Sequence, residues 1–174
     1  VTAPPSVAGL RQPDRRSCGA ACVVVAADLA ADRDPGARRA TFGADVLATH
    51  RRLVRLVLRG RPQPPWTRLL GTPPWAVARE LSAVTGVRHR VRLVRWGRAR
   101  RAAAHDRLQA GGALFVGDRW LPRHVVLALP GPGPEVRVYE PAAGAGVRLD
   151  RERTAAGTLR LAGWSHPWFT VTPV

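Results

Sequence analysis

The chain has 174 residues, 45% hydrophobic and 23% charged, the balance of a globular protein able to bury a core without staples. No run of eighteen apolar residues exists, which excludes a membrane-spanning helix, and the opening VTAPPSVAG has neither the basic nor the apolar region of a signal peptide. The formal net charge is +16, and every one of the 28 basic residues is arginine, a composition that also reads as high-GC coding bias.

In chain order, residues 1–15 are Pro-rich and irregular, and the rest reads as a single domain. Cys18 to Asp32 (CGAACVVVAADLAAD) has the uninterrupted apolar character of a buried helix. Thr41 to Arg59 reads as a second helix with Thr41 as N-cap, followed by a Pro-rich loop over 60–72 that carries Trp66. Pro73 to Thr85 is a third helix, opened by proline and closed by Gly86. Arg88 to Trp96 reads as a strand and Arg98 to Ala110 as a fourth helix, stopped at Gly111-Gly112.

The period then changes to two. Short strands are expected at 113–116, 124–129, 135–139, 146–149 and 168–171, separated by strong turn sequences at 117–118, 130–134 and 141–146. Helices first and an antiparallel sheet second define an α+β domain.

Cys18 and Cys22 lie one helical turn apart on one face, a poor geometry for a disulfide and too few ligands for zinc, so both read as free thiols and no metal or other cofactor is expected. Cys18 falls in the first turn of its helix, where the helix dipole and a neighbouring imidazolium favour a thiolate. Gly19 leaves the backbone bare beside the sulfur for an approaching carbonyl, and the Cys18 amide is a candidate oxyanion donor. Gln12, six residues upstream, can supply a second donor from its side-chain amide. Cys22, one turn deeper, reads as a core thiol.

Five histidines compete as base. His50, His89 and His105 sit among arginines or on polar faces and His166 in a turn, whereas His124 opens the apolar strand HVVLAL. Sixteen residues later Val-Tyr-Glu-Pro places Glu140 at the end of the adjoining strand, where its carboxylate can fix the imidazole tautomer. Trp120, four residues before His124, is expected near the cleft; the other tryptophans are assigned to the core.

Gln12-x5-Cys18-Gly19-Ala20-Ala21-Cys22, then His124-Val-Val-Leu and Val-Tyr-Glu140-Pro, resembles papain-like cysteine peptidases of the double-glycine leader peptidase type and their free-standing relatives. The resemblance spans about residues 10–150 and implies a papain-like fold. It implies Gln12 as oxyanion donor, Cys18 as nucleophile, His124 as general base then acid, and Glu140 as orienter. The family's aspartate is glutamate here, one methylene longer, and no transporter segment accompanies the chain.

Acyl transfer through a Cys18 thioester follows, with a peptide or protein as substrate. Water resolving the acyl-enzyme would make a peptidase or amidase, and an amine or thiol a transferase or cyclase. A catalytically silent papain-like domain that binds an acidic partner through its arginines is the second class, and a nucleic-acid-binding domain the third. Arginines cluster at 51–52, 88–95 and 98–101, and such a field attracts nucleic acid, anionic lipid or acidic protein. No recognised nucleic-acid motif accompanies them, and in RHRVRLVRW they alternate with apolar residues as on a half-exposed strand.

Overall fold

The apolar run after Ser17 folds as helix α1 (Cys18–Ala30), buried continuously from Cys18 to Ala26. A helix without a polar face must sit in the middle, and two further helices and a sheet surround it. The computed structural model describes residues 6–131 and 133–174; the irregular reading of residues 1–5, and Pro132 of the turn at 130–134, lie outside them. Beyond α1 the chain turns on Asp28, whose buried carboxylate accepts from Arg33 and Arg38.

Helix α2 (Phe42–Leu53) follows Thr41 but stops six residues short of the expected end. The Leu-Val-Leu pattern there continues into a small hairpin of β1 (Val57–Leu58) and β2 (Arg61–Pro62) instead. Arg59 and Gly60, at φ of 49° and 71°, make its left-handed turn, which no helix can contain. Helix α3 (Pro74–Thr85) begins on a proline and ends at Gly86 in the left-handed conformation.

Strand β3 (His89–Leu93) and helix α4 (Arg98–Arg107) lead into β4 (Gly112–Gly117), β5 (Pro122–Leu129), β6 (Arg137–Glu140) and β7 (Ala145–Arg148). A short helix that the periodicity did not announce, α5 (Arg151–Ala156), precedes β8 (His166–Pro173); Asp150 caps it by accepting the Arg153 N–H. The six long strands form one antiparallel sheet in the order β3-β8-β4-β5-β6-β7. The chain is therefore an α+β fold of helices on an antiparallel sheet.

Alternation along the strands gives the sheet two cores. Phe115, Val125, Leu127, Tyr139 and Val171 face the core that holds α1. Leu114, Val116, Val126 and Val138 face a second core closed by Leu108, Leu149, Leu159 and Leu161. Cys22 ties α1 to the sheet by donating its S–H to Val125 O at 3.5 Å.

The segment before α1 is clasped to the far hairpin. Gly9 N–H donates to Gly144 O (2.8 Å), the buried Tyr139 hydroxyl to Leu10 O (2.6 Å), and Gln12 N–H to Pro141 O (2.9 Å). Gly144, at φ 64°, meets Leu10 and Arg11 so closely that a Cβ would collide with them. The clasp sets the end of β6, and with it Glu140, beside the chain that enters α1.

Candidate active site

Cys18 occupies the first turn of α1, and the first intrahelical bond runs from Ala21 N–H to Ser17 O. The amides of Cys18, Gly19 and Ala20 consequently have no acceptor within the helix, as at any helix start. The space beside Gly19 is filled: a Cβ there would lie 2.7 Å from the Thr72 Cβ. Glycine at 19 serves the approach of the 60–72 loop, and its face is not bare as the sequence reading expected.

His124 and Glu140 meet at one end of the sheet, near the start of β5 and at the last residue of β6, just beyond the paired residues Leu127 and Tyr139. His124 Nε2 and Glu140 Oε1 are 2.6 Å apart, with both side chains nearly fully buried. Glu140 also accepts from the N–H groups of Ala142 (2.8 Å) and Ala143 (3.2 Å), which fix its orientation.

With Nε2 turned to Glu140, Nδ1 is the ring nitrogen left for Cys18, which lines the same cavity as His124. Burial works against a charged ring, yet hydrogen bonding to the Cys18 and Glu140 side chains, with their charges, pushes the His124 pKa up to about 9. Burial likewise opposes the Glu140 charge, but the His124 hydrogen bond and the Ala142 amide hold its carboxyl below the usual range. Cys22 is another matter. Burial raises its thiol well above the ordinary value, as for a core cysteine.

Gln12 is anchored by its backbone to Pro141, the residue after Glu140, but its side-chain amide donates to Asp14 O at 2.6 Å. Its Oε1 is buried without a partner. One amide hydrogen is therefore occupied within the loop, which leaves the second as the donor this side chain can offer a substrate. Trp120 departs from its expected place: it is 67% exposed and absent from the wall of the cavity. The cause is the turn before it, where the Asp118 carboxylate accepts both Trp120 N–H (2.6 Å) and Leu121 N–H (2.8 Å) and directs the indole outward.

The tryptophan beside the sulfur is Trp66. It lines the cavity with Leu70, Thr72, Pro74, Phe115, Pro122 and Val125, and the enclosed room is about 10 Å³, that of one water molecule. Trp66 stacks edge-on against Trp75 with centroids 5.0 Å apart, and its N–H donates to Gly71 O. The only sequence signal for this cover is a lone tryptophan in a Pro-rich loop. His50, His89 and His105 are buried, not exposed; His89 and His105 bond to the carbonyls of Val87 and Leu149. Among the described residues, no group of three His, Cys, Asp or Glu side chains is placed to hold a metal ion, and no helix is long and apolar enough to cross a membrane.

Compared with known proteins, the chain matches no family model and no curated protein sequence.

Proposed function

We propose that the chain is a papain-like cysteine peptidase or amidase. The observation that carries this reading is the buried His124 ring, bonded to a Glu140 carboxylate itself fixed by two backbone amides and lining one cavity with Cys18. His89 bonds to a main-chain carbonyl, and His105 to a carbonyl and, at 3.4 Å, to the partly exposed Asp106; His124 bonds to a buried carboxylate and shares its cavity with a cysteine.

In the proposed reaction Cys18 Sγ attacks a carbonyl carbon as thiolate, forming the C–S bond while the oxyanion accepts from the free amides at the start of α1. His124 delivers its proton from Nδ1 to the leaving amine as the C–N bond breaks. A water then loses its proton to His124 as it attacks the thioester, and the C–S bond breaks to release the acid. An amine in place of water gives acyl transfer by the same residues. Glu140 keeps the ring in one tautomer and supports its charge.

A second reading, a catalytically silent domain on the same fold, is favoured by the closure of the site: Cys18 is 3% exposed and the Gln12 amide is turned to Asp14. The rate of iodoacetamide alkylation between pH 5 and 9, with the labelled cysteine located by mass spectrometry, separates the two. Rapid labelling of Cys18 at pH 6, abolished in His124→Ala, supports the enzyme. Labelling that is slow at every pH below 8, or confined to Cys22, removes it.

A further inference from the structure

Four large apolar side chains stand exposed at the end of the sheet where β3 and β4 finish and β5 and β8 begin. They are Leu93 (39%), Trp96 (57%), Trp120 (67%) and Leu121 (38%). They belong to two segments fastened together. The Arg95 guanidinium donates to Arg119 O and lies over both the Trp96 ring (5.2 Å) and the Trp168 ring (4.0 Å), while Trp168 Nε1–H donates to Asp118 O at 2.9 Å. Arg119 in turn lies 4.4 Å over Trp120. Fixed exposure of two tryptophans and two leucines on neighbouring turns costs solvation and is not needed by the core, which closes beneath them through Trp168, Phe169 and Phe115.

The surroundings are cationic. The acids of this region are matched: Asp118 pairs with Arg123, and Glu152 with Arg98. Among the described residues, Arg95, Arg100 and Arg119 pair with no carboxylate. The patch thus combines protruding apolar tips with excess positive charge.

We propose that this end of the molecule binds the surface of an anionic lipid bilayer. Trp96, Trp120, Leu93 and Leu121 would enter the headgroup–acyl boundary, and Arg95, Arg100 and Arg119 would meet lipid phosphates. Tryptophan and leucine tips supply interfacial burial while arginines supply attraction to anionic headgroups, the two signals that make peripheral binding stable. Charge complementarity selects an anionic partner, and the leucine and tryptophan tips select one with an apolar interior. None of the four apolar residues lines the Cys18 cavity or the one between α1, α2 and α3. Leu93 and Leu121 have no role in base stacking, whereas a bilayer boundary takes up leucine and tryptophan together. Pro122 and Arg123, which follow Leu121 directly, line the Cys18 cavity, so docking would set that cavity close to the bilayer.

The test is co-sedimentation of the full chain with vesicles of equal phosphatidylglycerol and phosphatidylcholine, against phosphatidylcholine alone. Anionic vesicles should bind at least tenfold more strongly, since each arginine near the surface contributes roughly fivefold. The advantage should fall steeply with salt. Trp96→Ala with Trp120→Ala should weaken partitioning at least about tenfold, with thermal unfolding and Cys18 alkylation unchanged. Arg100→Glu with Arg119→Glu should abolish the preference for anionic lipid. Equal binding to both vesicles, or binding untouched by the double tryptophan change, overturns the proposal. So does salt-sensitive binding to a single-stranded oligonucleotide that needs both tryptophans in a protein that ignores vesicles. Each result stands whether or not Cys18 is a nucleophile.

Discussion

Two carboxylates of this protein are almost equally withdrawn from water, and they are held in opposite ways. Glu80 on α3, 1% exposed, receives the fork of Arg59 (2.9 and 3.1 Å) and one nitrogen of Arg52 (3.1 Å). Glu140 on β6, 5% exposed, receives one imidazole and two backbone amides. A guanidinium never gives up its proton under ordinary conditions, so Arg52 and Arg59 are fixed charges that join α3 to α2 and the β1–β2 hairpin through Glu80. An imidazole can give up its proton, and the one beside Glu140 lines the same cavity as a thiol. Burial is common to both carboxylates; a partner that titrates distinguishes Glu140.

Neutralising each carboxylate in turn should break the comparison most clearly. Glu140→Gln keeps the shape but leaves His124 without its counter-charge, and Cys18 alkylation at pH 6 should fall roughly 10²-fold. Glu80→Gln should leave that rate within about twofold while lowering stability by about 1–2 kcal/mol, a small cost because both arginines are about half exposed and can turn to water. Equal alkylation in the two variants would reduce Glu140 to a structural group like Glu80.

The same contrast should appear in stability against pH. The folded pKa of His124, pushed up to about 9 by Cys18 and Glu140 against the opposing effect of burial, lies above its ordinary value of 6.5. Its contribution is therefore complete below pH 6.5 and lost as pH rises through about 9, on the order of 3 kcal/mol across that window. Glu140, held below the ordinary range by the His124 hydrogen bond and the Ala142 amide despite burial, contributes above its unfolded pKa and loses that contribution as acid protonates it. Urea midpoints from pH 6.5 to 9 should decline in the wild type and flatten in His124→Gln. Above pH 9 the buried Cys22 thiol adds its own slope. A decline unchanged in His124→Gln would place the titrating group elsewhere.

A smaller effect sharpens the view of the cover over Cys18. The loop over 60–72 is pinned at one end by Gln63, whose amide donates to Leu53 O and Arg55 O, and at the other by Thr72 against Gly19. Between the pins, Trp66 and Leu70 close the room around the sulfur. Local opening of this segment should govern reagent access, so Trp66→Ala should accelerate Cys18 alkylation roughly tenfold without moving its pH dependence. An unchanged rate would mean that reagents reach the sulfur by another route.

What could be read from the sequence follows the range of each interaction. Helix α3 was legible at both ends because proline and glycine act locally, and β5–β6 because the turn sequence and alternation are local too. The His124–Glu140 pair was legible for the same reason: one hairpin makes it. The overshoot of α2 came from an apolar pattern that a helix and a hairpin share, with the left-handed Arg59-Gly60 turn as the deciding detail. Insertion of β8 between β3 and β4 joins residues some eighty positions apart, and no periodicity announces that. Trp66, expected in the core, lines the cavity, and Trp120, expected at the cleft, is exposed, because proximity in sequence to His124 is not proximity to the sulfur. An Asp118 turn sends one indole out, and a long loop brings the other in.

The smallest expected effect concerns the two cysteines, which differ in the same way as the two glutamates. Cys18 faces a titrating ring at a helix start. Cys22 is wholly buried one turn deeper, its S–H given to Val125 O and its thiolate disfavoured by burial. Cys22→Ala removes one sulfur from a tight core and leaves the Val125 carbonyl short of a weak donor, a loss of about 1–2 kcal/mol by denaturant unfolding. The alkylation rate and pH profile of Cys18 should not change, because Val125 is held by its ladder to Phe115 on β4 and keeps His124 in register. If Cys22→Ala slows Cys18 as much as Glu140→Gln does, the thiol at 22 positions the start of β5, and the division between a chemical and a structural cysteine fails.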